Sequence, residues 1–169
     1  MPAFLLVASL ALGIAQEPPS SATPCPAHLF TIERSKNANL VVYDAQLTDS
    51  GELDPKNPVV VYWLLKAQDG RREELNRVER QRAYGFDIDQ GKDPGTSVLT
   101  LKAGKKRPFI VAMRDGCPVA LDTIGGRPAV LERIFVKEKE GMTLKVDSVD
   151  FFGRDRADGR PVTETIIPK

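Results

Sequence analysis

The side chains best suited to recognition crowd into the first half of the chain. Arg34, Lys36 and Asn37 stand in one Arg-Ser-Lys-Asn run, and all three tyrosines (Tyr43, Tyr62, Tyr84) and the single tryptophan, Trp63, fall between positions 43 and 84. A guanidinium or ammonium group holds an anion through charge-assisted hydrogen bonds. Tyr and Trp pair an apolar body with one polar tip, a combination favoured at binding surfaces. These seven residues predict a ligand-binding face on which Arg34 or Lys36 grips an anion and the aromatics stack on an apolar body. The plainer reading is an ordinary core, with Arg34 paired to Asp44 and residues 34–37 forming a hairpin turn. Strand alternation sends Tyr43 and Asp44 to opposite faces, which favours the plainer reading for part of the set.

Catalytic and metal patterns are weak. Ser35-Lys36 are adjacent, whereas a Ser–Lys hydrolase needs S-x-x-K, so that one helical turn brings the amine beside the hydroxyl. A Ser-His-Asp triad would have to use the one histidine, His28, and no G-x-S-x-G elbow presents a nucleophile. The least unsuitable catalytic trio is His28, Asp44 and Cys117. Asp87-x-Asp89-x-Gly91-x-Asp93 resembles half a calcium loop, but Lys92 and Val98 occupy the positions where such a loop carries Gly and Glu. Glu73, Glu74 and Glu79 lie on a charged stretch and do not face one another across a cleft. No catalytic residue, metal ligand or cofactor is predicted.

The two cysteines and the N-terminus concern location. Ala3 to Ala15 is uncharged and apolar and ends abruptly at Gln16-Glu17-Pro18-Pro19-Ser20. That length suits a signal-peptide core and falls short of the roughly 20 residues a membrane-spanning helix needs. Small residues at Gly13 and Ala15 place cleavage after Ala15, although no Lys or Arg precedes the run. The expected organisation is a signal peptide at 1–15, a Pro/Ser-rich leader at 16–27 and a single β domain at 28–169. The product would be exported, periplasmic or secreted, with no transmembrane span after cleavage. In an oxidising compartment Cys25 and Cys117 read as one disulfide, which would stabilise by roughly 4–5 kcal/mol in the chain-entropy account. Two unpaired thiols are the alternative.

The elements that must position these residues show mostly period-two alternation. Strands are expected at 28–34, 39–47, 59–65, 84–88, 97–103, 109–113, 119–124, 129–138, from 142 onward and at 161–167, about ten in all. Gly125-Gly126 marks a tight hairpin. Val59 to Leu65 is apolar on both parities, so both faces of that strand should be covered. The predicted cover is a short surface helix at 71–82, with Leu75 and Val78 as a thin apolar stripe and Glu73–Arg77 as a helical ion pair. The fold class is therefore all-β: a single antiparallel barrel or a two-layer sandwich. Composition agrees. Hydrophobic residues make up 41% of 169, and 24 basic against 23 acidic side chains leave a net charge of +1, so no global field recruits nucleic acid. Lys105-Lys106-Arg107 lacks the interleaved aromatics of a nucleic-acid site.

The first half also resembles a known family. His28-Leu29-Phe30-Thr31-Ile32-Glu33-Arg34-Ser35-Lys36-Asn37, then Val42-Tyr43-Asp44-Ala45, is similar to the signature of a family of exported bacterial proteins, domain of unknown function 4833. So are Leu53-Asp54-Pro55-Lys56, Val61-Tyr62-Trp63, Arg72-Glu73-Glu74-Leu75 and Ala83-Tyr84-Gly85-Phe86. The resemblance implies a single-domain envelope or secreted protein and no particular activity. The functional expectation is a non-enzymatic binding module for a small molecule or envelope ligand. Alternatives are a scaffold that meets an envelope protein through its helix, and a hydrolase with an unrecognised site.

Overall fold

The computed structural model describes residues 25–139 and 145–168. The expected signal peptide, most of the leader and the predicted strand start at 142–144 lie outside the described residues. Within them are eleven strands and one helix: β1 (His28–Arg34), β2 (Asn37–Ala45), β3 (Val59–Leu65), β4 (Arg71–Glu74), α1 (Arg77–Arg82), β5 (Phe86–Gln90), β6 (Ser97–Leu101), β7 (Phe109–Arg114), β8 (Cys117–Ile124), β9 (Arg127–Glu138), β10 (Val146–Asp155) and β11 (Pro161–Ile166). No described helix is long and apolar enough to cross a membrane.

The sheet runs β4-β3-β2-β1-β9-β8-β7-β6-β5, with β10 also on β9 and β11 on β10. Its organiser is β9. β10 pairs with it from Ala129 to Glu138, occupying one edge. On the other edge β8 pairs with Arg127–Val130 and β1 with Arg133–Val136. Two arms therefore hang from one strand, and the sheet curls until they meet. Phe30 of β1 contacts Phe109 of β7 edge-on at 5.6 Å, and Tyr43 of β2 contacts Phe86 of β5 at 6.1 Å. The buried cluster between them includes Phe30, Tyr43, Leu99, Phe109, Val111 and Leu131. Gly125 and Gly126, at φ +58° and +78°, make the tight β8–β9 turn their sequence predicted.

Three expectations are corrected. The sheet is mixed rather than antiparallel, because β1 runs parallel to β9; period-two alternation fixes which face a side chain takes and is silent on strand direction. Arg71–Glu74 is not helical. It is a fully exposed edge strand hydrogen-bonded to β3, and Glu73 pairs with Arg71 rather than Arg77. The helix starts only at Arg77, where Asn76 and Glu79 form a reciprocal capping box. Nor does the helix cover the outer face of β3. Glu79 meets Trp63, which shares the core-facing parity of Val59, Val61 and Leu65. On the outer parity Val60 stays 37% exposed, and Tyr62 is covered by the Arg72 guanidinium, 4.3 Å from the ring centroid.

Candidate functional site

β1 and β9 are parallel, so their C-terminal residues Arg34 and Glu138 emerge at the same end of the sheet. The third contributor, Tyr84, lies in the short segment joining α1 to β5. The amides of Ala83, Tyr84 and Gly85 all donate to the Glu79 carbonyl, at 3.1, 2.9 and 3.3 Å. That turn closes so tightly that a Cβ on Gly85 would lie 1.6 Å from the Arg80 carbonyl oxygen. The segment spans from β4 to β5, the two ends of the curled sheet.

Tyr84 is the hub. Arg34 Nη1 donates to its hydroxyl at 2.9 Å, the Tyr43 hydroxyl donates to its carbonyl at 2.6 Å, and Trp63 meets its ring edge-on at 5.1 Å. Arg34 Nη2 donates to Glu138 Oε1. Trp63 Nε1 donates to Glu79 Oε2 at 3.2 Å, and the same oxygen accepts from the Asn76 amide at 2.9 Å, so the helix cap and the tryptophan share one carboxylate. Behind them the Glu138 amide donates to Ser35 Oγ at 3.0 Å.

Burial pushes Tyr43 far above the usual phenol range, reinforced by the neighbouring Tyr84. Tyr84 is also raised by burial, against the opposing pull of Arg34. For Arg34 burial works against the charge, but the bonds to Glu138 and Tyr84 outweigh it and hold the guanidinium above its ordinary value. Near neutral pH the site thus presents neutral hydroxyls around a persistent cation.

Of the seven expected residues, the structure gathers Arg34, Tyr43, Trp63 and Tyr84. Lys36 on the β1–β2 turn and Asn37 at the start of β2 follow directly, already engaged: Lys36 Nζ donates to the Lys139 carbonyl at 2.6 Å, and Asn37 Oδ1 accepts from the Asn39 amide at 2.9 Å. Tyr62 is separated from the group. Its hydroxyl donates to Asp44 Oδ2 at 2.6 Å on the opposite face, where His28 Nδ1 lies 3.0 Å from Asp44 Oδ1. Arg34 therefore pairs with Glu138, not with Asp44. Burial resists ionisation of Asp44, but the bonds from His28 and Tyr62 and the nearby Arg72 win, and its carboxyl sits below the usual range.

Cys25 and Cys117 form a disulfide, with Cα atoms 5.3 Å apart. Cys117 consequently presents no thiolate, and the His28–Asp44–Cys117 trio loses its nucleophile. No group of three metal-ligating side chains converges among the described residues. Asp87 of the half calcium loop lies on β5 in an ion pair with Lys102. Arg107 of the basic tip is drawn inward, bonding Asp122 at 2.8 Å and Glu164 at 3.0 Å with its guanidinium over the Phe151 ring.

Glu138, Asn39 and Glu79 were not among the expected residues. Glu138 had a legible signal, since it continues the phase of Ile134 and Val136 along β9 and so points an acid inward. Asn76 and Glu79 carried the capping spacing. The comparisons with known proteins bear on identity alone. No curated protein and no solved structure matches the chain. The profile of a family described as a domain of unknown function, DUF4833, matches residues 30–165, which include Arg34, Tyr43, Trp63, Tyr84 and Glu138. The chain belongs to the DUF4833 family.

Proposed function

We propose that this protein is an exported bacterial, non-enzymatic binding domain that takes a small ligand at the end of the sheet where β1 and β9 finish. One observation carries the reading. The Arg34 guanidinium remains 25% exposed although it is anchored from behind by the Glu138 carboxylate, only 4% exposed, and by the Tyr84 hydroxyl. Of the five N–H groups on a guanidinium, Arg34 gives one to Tyr84 and one to Glu138, so its exposed part keeps donors for a bound group. The uncharged run Ala3 to Ala15 and the disulfide support export. The contacts of Phe30 with Phe109 and Tyr43 with Phe86 support a two-layer sandwich hinged at β9.

The scaffold alternative draws less support. Leu75 of its expected helical stripe is buried before the helix begins, leaving Val78 as a single exposed apolar residue. Trp63, the single tryptophan, reports on the site directly. The small-molecule fraction of a bacterial envelope extract should shift its emission in the native protein. Tyr84→Phe, which keeps the ring beside Trp63 but removes the hydroxyl bonded to Arg34, should weaken that shift. An unchanged spectrum in the native protein would retire the binding reading.

A further inference from the structure

Two cavities open at the other end of β9, away from Arg34. The larger, about 370 Å³, lies between the β8–β9 turn and the start of β11, and Ile124, Gly125, Arg127, Arg160, Pro161 and Val162 line it. Its wall is held in place. The turn packs so closely on β11 that a Cβ on Gly125 would lie 3.3 Å from the Thr163 carbonyl oxygen, and the Gly125 amide donates to Glu164 Oε2 at 2.9 Å. Ile124 is fully buried and Val162 packs against the core, so the floor is apolar.

The rim is basic, and no acid lines it. Arg127 Nη1 donates to Asp155 Oδ2 at 3.4 Å, and Arg160 Nε donates to Asp158 Oδ2 at 2.8 Å. Both acids are tied to their own turn, Asp155 accepting from the Ala157 amide at 2.8 Å and Asp158 from the Arg160 amide at 2.9 Å. They orient the two guanidinium groups without exhausting them. Of the five N–H groups on each, one is given away, and Arg160 keeps both terminal nitrogens. The neighbouring Glu164 carboxylate is covered by Arg107 at 3.0 Å as well as by Gly125. Arg156, on the same β10–β11 turn, lines the second cavity, about 340 Å³, and adds a further positive charge.

We propose that the larger cavity binds a phosphate monoester with an apolar body. Two guanidinium forks reach it from separate segments, Arg127 at the start of β9 and Arg160 just before β11. A planar carboxylate is matched by a single fork, whereas the terminal oxygens of a phosphate point three ways and accept from two. The apolar floor takes the organic group. This site stands apart from the Arg34 end, and neither needs the other.

The test titrates the disulfide-bonded protein with phenyl phosphate, inorganic phosphate and benzoate, following the Gly126 amide by nuclear magnetic resonance and Trp63 emission in parallel. Phenyl phosphate should move Gly126, leave Trp63 unchanged and bind more tightly than either of the others. Arg160→Gln changes a side chain 77% exposed, whose surface ion pair adds little to stability. It should weaken phenyl phosphate about tenfold or more, and Arg82→Gln on α1 should not. Sedimentation with phosphatidylcholine vesicles containing phosphatidic acid separates the sources. Co-sedimentation lost in Arg160→Gln makes the monoester a lipid headgroup; its absence, with phenyl phosphate bound, makes the monoester a soluble molecule. Benzoate or inorganic phosphate binding as tightly as phenyl phosphate would overturn the ligand class. Equal losses in Arg160→Gln and Arg82→Gln would reduce the effect to diffuse attraction, and silence to phenyl phosphate and vesicles alike would remove the site. A shift of Trp63 with Gly126 unmoved would assign the anion to the Arg34 end and overturn this proposal while sparing the earlier one.

Discussion

Burying the Glu138 carboxylate is tolerable only because Arg34 reaches it, and the two should be destabilising to remove singly. Breaking such a pair from one side typically costs about 3–5 kcal/mol, whereas replacing both partners with apolar groups is often near neutral. Partial exposure of Arg34 puts it at the lower end. Arg34→Met and Glu138→Met should each lower the urea midpoint clearly, and the double variant should recover much of the loss; additive losses would show that the two do not act as a pair. A second prediction concerns Asp44. Its folded carboxyl titrates below the ordinary value of 3.8, so its contribution is complete above that value and fades as pH falls through the lower folded one. The stability gap between native protein and Asp44→Asn should therefore narrow on acidification below about pH 4; a gap constant with pH would contradict the linkage. Reading Asp44 and Tyr43 as facing apart was possible from alternation. Finding Arg34's partner was not, because Glu138 lies a hundred residues away on a strand whose direction the pattern leaves open.

The segment from Asn76 to Gly85 is where local signals and tertiary context competed. Helical spacing of charges suggested 71–82, yet the backbone of Arg71–Glu74 pairs with the free edge of β3, and the helix begins only after Asn76. Asn76→Ala should cost about 1 kcal/mol through the lost cap and loosen Glu79 from Trp63, visible as a change in tryptophan emission. Gly85→Ala should be worse, about 3 kcal/mol, because the added methyl meets the rigid Arg80 carbonyl rather than a movable side chain. Thermal melts of the two variants check the ranking, and a Gly85→Ala protein as stable as native would show that the turn has room. Strands fared better than the helix in the sequence: nine of the ten expected runs coincide with strands within a few residues, and the tenth begins outside the described residues. The additional strand, β4, is charged throughout and has no apolar phase to reveal it.

Across the whole molecule, the disulfide ties the segment before β1 to the start of β8, 92 residues apart in sequence. In the chain-entropy account its loss costs about 4–5 kcal/mol. Cys25→Ala/Cys117→Ala should melt well below the native protein, and a thiol titration of the unfolded native protein without reductant should find no free sulfhydryl. An equal melting temperature would mean that the bridge adds nothing beyond the noncovalent fold.

The shared strand β9 has a temporal consequence. Thr31 to Arg34 dock on Arg133 to Val136, so as the chain leaves a ribosome β1 has no permanent neighbour on that side until about a hundred further residues have followed. Pairings this distant slow folding. During emergence the early hairpins must wait as an unfinished edge, exposed to any chaperone or stray strand that reaches them first.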